Sequence, residues 1–305
     1  MPNATQGSNI VIRDVSGTSE LRSVEALQKE VWGCDDLDVV PLTMLVASRE
    51  VGATLIGAYD GASLVGFVYG FAGYENGRVT HHSHMLAVNP SYRNHKLGFK
   101  LKLAQRERVL TQGVKHITWT FDPLQSLNAH LNFGKLGVIS DTYKINFYGE
   151  KTSSFLHQIG TDRLWVTWLI ESQPVRERLQ SETDQNKPPV ETENAPTLVQ
   201  VSSGWEPKKN TDSELFGKNH LSLEIPWNIN DLVRERPKLA VEWRKATRWA
   251  FTEAFNSDYL VEDFYRATRN DQLVGVYLLT LRKTKLTRLV SIDGVSAEFL
   301  LRHPH

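Results

Sequence analysis

The chain has 305 residues, of which 40% are hydrophobic and 23% charged, which suits a soluble globular protein of one large or two smaller domains. Lysine plus arginine equals aspartate plus glutamate at 35 each. There is thus no global basic excess to argue for nucleic acid or a membrane surface, and anion binding must come from local clusters. A single cysteine, Cys34, excludes an internal disulfide. Together with an N-terminus that lacks an apolar signal core, it favours a reducing, cytoplasmic setting. No apolar run approaches the ~20 residues that span a bilayer.

The opening "MPNATQGSNIVIRD" reads as a polar, disordered lead-in. "TSELRSVEALQKEVWG" is a helix, with Leu21, Val24, Leu27 and Val31 at helical spacing and Gly33 as its stop. "PLTMLVASREVG" is a second, short helix. "ATLIGAYD" and "SLVGFVYGFAGY" are strands joined by the hairpin signal "DGA", and "RVTHHSHMLAV" is a third strand ended by Asn89-Pro90. A helix from about Lys96 to Gln112 follows, then the strand "HITWTF", the helix "LQSLNAHLNFGKL" and the strands "ISDTYKINFYGE" and "RLWVTWLI". Hairpin strands imply antiparallel pairing, and the strand–helix–strand step near 85–120 implies a parallel pair. The segment from Glu171 to about Pro196 is rich in Glu, Gln, Pro and Thr and reads as a linker or surface excursion. Beyond it lie the strands "LVQVSS" and "LSLEIP", the helix "RPKLAVEWRKATRWAFTEAF" and a hairpin around "TRNDQ", with an ambiguous tail from Lys283.

The stretch "NPSYRNHKLGFKL" begins as a turn and ends as a helix. A strand that feeds a helix through such a turn exposes backbone N–H groups, which favour an anion. Arg93, His95 and Lys96 sit on or beside this turn, and Gly98 permits close approach to the backbone. The plain alternative is a helix start with solvated basic residues. On the preceding strand, His82 and His84 share a face while His81 points the other way. An imidazole of ordinary pKa near ~6.5 can take a proton near neutral pH. His82 and His84 could also chelate a metal, but no clear third ligand stands with them, and hydrogen-bonded structural histidines remain the plain reading.

"LAVNPSYRNHKLGFKL" resembles motif A of the GNAT superfamily of acyl-CoA-dependent N-acyltransferases, whose core is R/Q-x-x-G-x-G/A. The second glycine is Gly98, and Lys96 stands in place of the first. "SLNAHLNFGKLGVI" is similar to motif B, with Ala129, Lys135, Leu136 and Gly137 matching. The order of elements over about residues 10–170 also fits. More narrowly, "SHMLAV", "TWTFDPL", "NAHLNFGKLG", "TDRLWV" and "EWRKATRWAF" resemble a group of two-part proteins assigned to that superfamily.

The resemblance implies an α+β fold. It would have a mixed, mostly antiparallel sheet, a splayed central strand and flanking helices, with a smaller C-terminal α/β subdomain. The expected division is a GNAT-like acyl-CoA-binding domain over 1–172, a linker over 173–197 and an α+β subdomain over 198–305. The resemblance also implies acetyl-CoA or another acyl-CoA as cosubstrate and no metal. The backbone at Leu86 and Val88 would pair with pantetheine as an added strand does. Arg93, Asn94, His95, Lys96, Leu97, Gly98 and Phe99 would wrap the pyrophosphate. Lys96 is expected to point outward, with the coenzyme's 3′-phosphate as a partner. Asn128 and Phe133 in motif B would complete the cofactor site.

His82 falls where several relatives carry a catalytic glutamate, so His82 and His84 are the candidate bases. Where many relatives have a tyrosine that protonates the departing thiolate, this chain has Phe133. Tyr143, Tyr148 and Asn132 are the alternative donors, or the thiolate leaves as the anion beside backbone amides. In the second half, Arg244 and Arg248 form a stripe on one helix. They are either solvated or, with Arg163, hold a carboxylate of the acceptor or acyl group. The expected activity is transfer of an acetyl or other short acyl group, with succinyl as one option, to a primary amine of a small molecule such as an amino acid. The transfer would proceed by direct attack in a ternary complex. The competing reading is a catalytically impaired coenzyme A-binding or regulatory module. The expected partners are a small-molecule amine, with no nucleic acid and no membrane, and a homodimer stays open.

Overall fold

The computed structural model describes residues 10–75, 77–93, 95–150, 154, 157–181 and 194–282. Among these residues no helix is long and apolar enough to cross a membrane. The chain is a mixed α+β fold whose contacts divide after Trp119 into two compact units, with Ser154 counted in the first.

The first unit opens with β1 (Val11–Asp14), α1 (Gly17–Trp32) and α2 (Leu42–Glu50). The end of the expected polar lead-in is therefore a strand, because Val11 to Asp14 pair antiparallel with the stretch from Ile56 to Tyr59. β2 (Thr54–Asp60), β3 (Ser63–Glu75) and β4 (Arg78–Val88) form an antiparallel meander. α3 (Leu97–Thr111) then crosses over to β5 (Ile117–Phe121), which runs parallel to β4. The sheet is buried on both faces. Leu55, Phe67, Tyr69 and Ala87 pack with Leu21, Val24, Leu27 and Val31 of α1 and Leu45 of α2. Ile56, Ala58, Val65 and Val68 pack with Leu97 and Leu101 of α3. Burying each such aliphatic side chain contributes about 1.5–3 kcal/mol, and this double covering explains why β2 and β3 read as near-continuous apolar runs.

The second unit holds α4 (Ser126–Ala129), which runs directly into a π-helical turn at His130–Leu136. β6 (Ile139–Lys144), β7 (Arg163–Trp168), α5 (Gln173–Gln180), β8 (Val199–Val201), β9 (Pro207–Lys209) and β10 (His220–Pro226) follow. α6 (Ile229–Glu235), α7 (Pro237–Asn256), β11 (Tyr259–Arg269) and β12 (Gln272–Leu281) complete it. Within this unit the strand order is β7-β6-β11-β12-β10, all antiparallel. Part of the expected linker is α5. Pro174 stands in its first turn, Val175 is buried, and Arg178 holds Asp263 of β11 through two hydrogen bonds of 3.0 and 3.2 Å. Residues 182–193 and the tail from 283 lie outside the described residues. On α7, Trp243, Ala246, Ala250 and Ala254 are wholly buried.

Candidate active site

β4 is shared unequally between its two neighbours. It pairs with β3 from Arg78 to Val88, but with β5 only at His81–Ile117 and His82–Thr118. Beyond those pairs the strands part, and among the described residues β4 from Ser83 to Val88 has no ladder partner on the β5 side. The Asn89 N–H bonds Val65 O of β3 at 2.8 Å. By the alternation of an antiparallel ladder, the N–H and C=O groups of Leu86 and Val88 face the other way, into the unpaired edge. Both residues are half-buried. An open edge of this kind is what an extended, amide-bearing ligand can join as a strand.

The turn after β4 supplies the second feature. Lys96 is the N-cap of α3, with φ 57° and ψ 20°, and its side chain makes no cap hydrogen bond. The left-handed conformation that favours glycine is therefore adopted by a lysine. The first intrahelical bond of α3 runs from Lys100 N–H to Lys96 O at 3.0 Å. The N–H groups of Leu97, Gly98 and Phe99 therefore precede the helical ladder. Arg93, His95, Lys96 and Lys100 are all exposed around this end, and the first turn contains no acidic residue. Asn94 lies outside the described residues. Free donors, a helix N-terminus and basic side chains together fit a pyrophosphate, and the β4 edge fits a pantetheine arm.

The histidines divide between the faces of β4 as the alternation predicts. His82 and His84 lie with Phe71 in a three-ring group whose centroids are 5.8–6.3 Å apart. β4 carries a bulge here, because Tyr69 pairs with Met85 while Gly70 pairs with Ser83. Gly70 is required at this point: a Cβ would meet His82 O at 2.7 Å and Gln105 Nε2 at 2.8 Å. His82 Nδ1 lies 3.3 Å from Thr118 Oγ1, and that hydroxyl donates to Glu75 Oε1 at 3.0 Å. With its one hydrogen committed to Glu75, Thr118 accepts from His82 Nδ1–H. The lone pair is then on Nε2, the tautomer a proton acceptor needs. Burial, then the neighbouring His84 and Lys102, bring the His82 imidazole down to about 4. Desolvation also lowers His84, but that residue is exposed and the effect is discounted for solvent screening.

On the opposite face, His81 is buried in a polar network that sequence reading missed. His81 Nε2 lies 3.1 Å from Thr54 Oγ1 and 3.2 Å from Gln105 Nε2. Lys102 Nζ donates to Ser83 Oγ at 2.9 Å and Gln105 Oε1 at 3.2 Å, and sits 3.4 Å from the Trp119 ring centroid. Burial lowers the Lys102 amine well below its ordinary value, and no carboxylate is among its bonded partners. This network ties α3 to β4 next to His82. Its sequence signal was faint, since Lys102 and Gln105 look like an ordinary solvated helix face.

The motif B and second-half candidates sit in the other unit. Asn128 is exposed. Phe133 is wholly buried, with its ring 6.1 Å from Phe121 and 5.8 Å from Tyr277. Tyr143 donates to Asp162 Oδ2 at 2.8 Å and stacks on Phe251 at 5.6 Å, and burial, then Asp162, raise its phenol well above the usual range. Arg244 is not solvated: it is 3% exposed and bonded to Asp122 at 2.7 Å. Among the described residues no group of three or more His, Cys, Asp or Glu side chains could hold a metal ion.

Residues 21–137 match the model of the acetyltransferase (GNAT) family. The match spans α1 through the π-helical turn, including the parted strands and the α3 N-terminus. Among solved structures, the chain is similar to the ribosomal-protein-S18-alanine N-acetyltransferase of Escherichia coli, at 13% identity over 53% of this chain and 94% of that one, with TM-score 0.42. It is similar to a chain of the NatC complex bound to Gag peptide and CoA, at 16% identity over 52% and 98%, with TM-score 0.42. It is also similar to aminoglycoside 6'-acetyltransferase type Ii, at 19% identity over 54% and 99%, with TM-score 0.42. No curated protein matches the chain.

Proposed function

We propose that the protein is an acyl-CoA-dependent N-acyltransferase that moves an acetyl or other short acyl group to a primary amine of a small molecule. The observation that carries the reading is the unpaired β4 edge ending at an uncapped, basic α3 N-terminus, within the segment matched to the GNAT family. Leu86 and Val88 offer backbone groups to the pantetheine amides. Leu97, Gly98 and Phe99 offer N–H groups to the pyrophosphate, with Arg93, His95 and Lys96 adding charge.

The bound acyl-CoA supplies an activated thioester carbonyl. His82 Nε2 takes the proton that the attacking amine must shed, while Glu75 and Thr118 hold the ring in that tautomer. The C–N bond forms as the C–S bond breaks, in one complex without an acyl-enzyme. His84, on the same face, accepts or relays the same proton. The thiolate leaves without a motif B hydroxyl, since Phe133 has none to give.

The test is thiol release with acetyl-CoA and succinyl-CoA over a broad panel of small primary amines, amino acids included. Turnover that falls by about 10²–10⁴ in His82→Ala is expected for loss of a general base. Coenzyme A binding with no thiol release across the panel would instead favour the second reading, a binding or regulatory module. The buried Phe133 and the weak basicity of His82 are the features that speak for that alternative.

A further inference from the structure

The second unit buries a charge cluster whose balance does not close. Arg248 takes up Asp162 through two bonds of 2.8 Å, and Asp162 also accepts from Tyr143 Oη at 2.8 Å and from Asn146 N–H at 3.0 Å. Those bonds hold the Asp162 carboxyl below its ordinary value even though burial, the largest single influence, pushes it up. Asp162 is saturated. Arg244 Nη2 bonds Asp122 Oδ2 at 2.7 Å and its Nε bonds Ile159 O at 3.2 Å, while Asp122 Oδ1 is already taken by Leu124 N–H at 2.9 Å. Arg244 Nη1 is buried and has no hydrogen-bond partner.

Arg163 is the third guanidinium. It is 7% exposed, yet its bonded partners are a carbonyl and an imidazole: Asp162 O at 2.9 Å and His157 Nε2 at 2.5 Å. Its Cζ lies over the Tyr148 ring, 5.2 Å from the centroid. Asp122 and Asp162 attract it and Arg244 repels it. Both Arg163 and Arg244 bear on the loop from His157 to Asp162, so they are neighbours around one spot. Three guanidiniums thus face two carboxylates among the described residues. A buried, permanently charged guanidinium without a counter-ion is strongly unfavourable, and it cannot shed its proton to relieve this. Tyr148, which is 43% exposed, gives the cluster an edge toward solvent, and its hydroxyl is 3.4 Å from Thr120 Oγ1.

We infer that Arg163 and Arg244 Nη1, beside Tyr148, form a binding site for the carboxylate of a substrate. A carboxylate supplies the single negative charge that the cluster lacks and two acceptor oxygens for guanidinium N–H groups. A phosphate dianion would overshoot that balance. The inference deepens the acyltransfer reading and rests on it for what the carboxylate belongs to. It is either the carboxylate of an amino acid acceptor or the free end of a dicarboxylic acyl group.

The experiment is calorimetry on the full chain, with and without coenzyme A. The twenty L-amino acids are compared with their carboxamides, and succinyl-CoA with acetyl-CoA. The expected result is a preference of about 10- to 100-fold for the carboxylate member of one pair, the scale of a charge-assisted contact. Preference among amino acids assigns the site to the acceptor; preference for succinyl-CoA assigns it to the acyl group. Arg163→Gln should abolish the preference, and Arg163→Lys should retain part of it, with a native circular dichroism spectrum as the folding control. If Arg163→Gln does not fold, the wild-type comparison decides. Carboxamides binding as well as acids, together with succinyl-CoA binding no better than acetyl-CoA, would overturn the inference. If coenzyme A binds and that discrimination is absent, the site fails alone. If the discrimination is present and coenzyme A does not bind, the acyltransfer reading fails alone.

Discussion

At the scale of single residues, His82 and Lys96 separate chemistry from geometry. The base must be neutral to accept a proton, and His82 is neutral above a pKa of about 4. Its contribution is therefore present above pH 4 and lost as pH falls through that value, whereas an unperturbed histidine would lose it near ~6.5. The acid limb of kcat/KM is expected near pH 4, measured with acetyl-CoA and a reactive amine. A limb near 6.5 that disappears in His82→Ala would show an ordinary imidazole. Lys96 bears a left-handed conformation that glycine would adopt without strain. Lys96→Gly should stabilise the chain by about 1 kcal/mol in chemical denaturation while weakening coenzyme A binding through the lost charge. Tighter binding in that variant would mean that the lysine obstructs the turn. The sequence showed Lys96 as a departure from the motif. Only the backbone shows that the departure preserves the turn.

The elements show where sequence patterning is legible and where it stops. α1 and the β2–β3 hairpin follow from spacing and turn residues, because their apolar faces meet in local packing. α5 was hidden because Val175 is its one buried residue and its anchor, Asp263, is 85 positions away along the chain. Arg244 resembled a solvated helix residue for the same reason, since Asp122 lies 122 positions distant. Histidine alternation on β4 was readable from period two, but the tie from His82 through Thr118 to Glu75 depends on strand register. The α3–β4 contact makes its own prediction. Burial lowers the Lys102 amine in the folded chain, while the unfolded chain takes up that proton below about 10.4, so its burial costs stability increasingly as pH falls from that value. Lys102→Met should be more stable than the parent at pH 7, with the gap narrowing toward pH 10. Denaturant midpoints at pH 7, 9 and 10 check this, and a destabilised variant with no pH trend would mean that the amine is charged.

For the whole molecule, the division after Trp119 falls inside β5, where composition gives no sign of it. The matched family segment ends at residue 137, so the remaining chain must be argued from its own contacts. In the second unit, Asp162 is wholly buried and held by Arg248 at 2.8 Å. Arg248→Ala would leave a wholly buried carboxylate short of its main partner, and a loss of about 1–3 kcal/mol is expected, allowing for the partial exposure of Arg248. Thermal unfolding of the full chain measures it; no change would mean that Arg244 or water compensates. The account as a whole rests on the parted β4 edge and the α3 N-terminus holding an acyl-CoA. Isothermal titration of the full chain with acetyl-CoA tests that most directly. Saturable binding at one site per chain, weakened by added salt and by a Lys96→Glu change, is the predicted result, and the absence of binding to both acetyl-CoA and coenzyme A would contradict it.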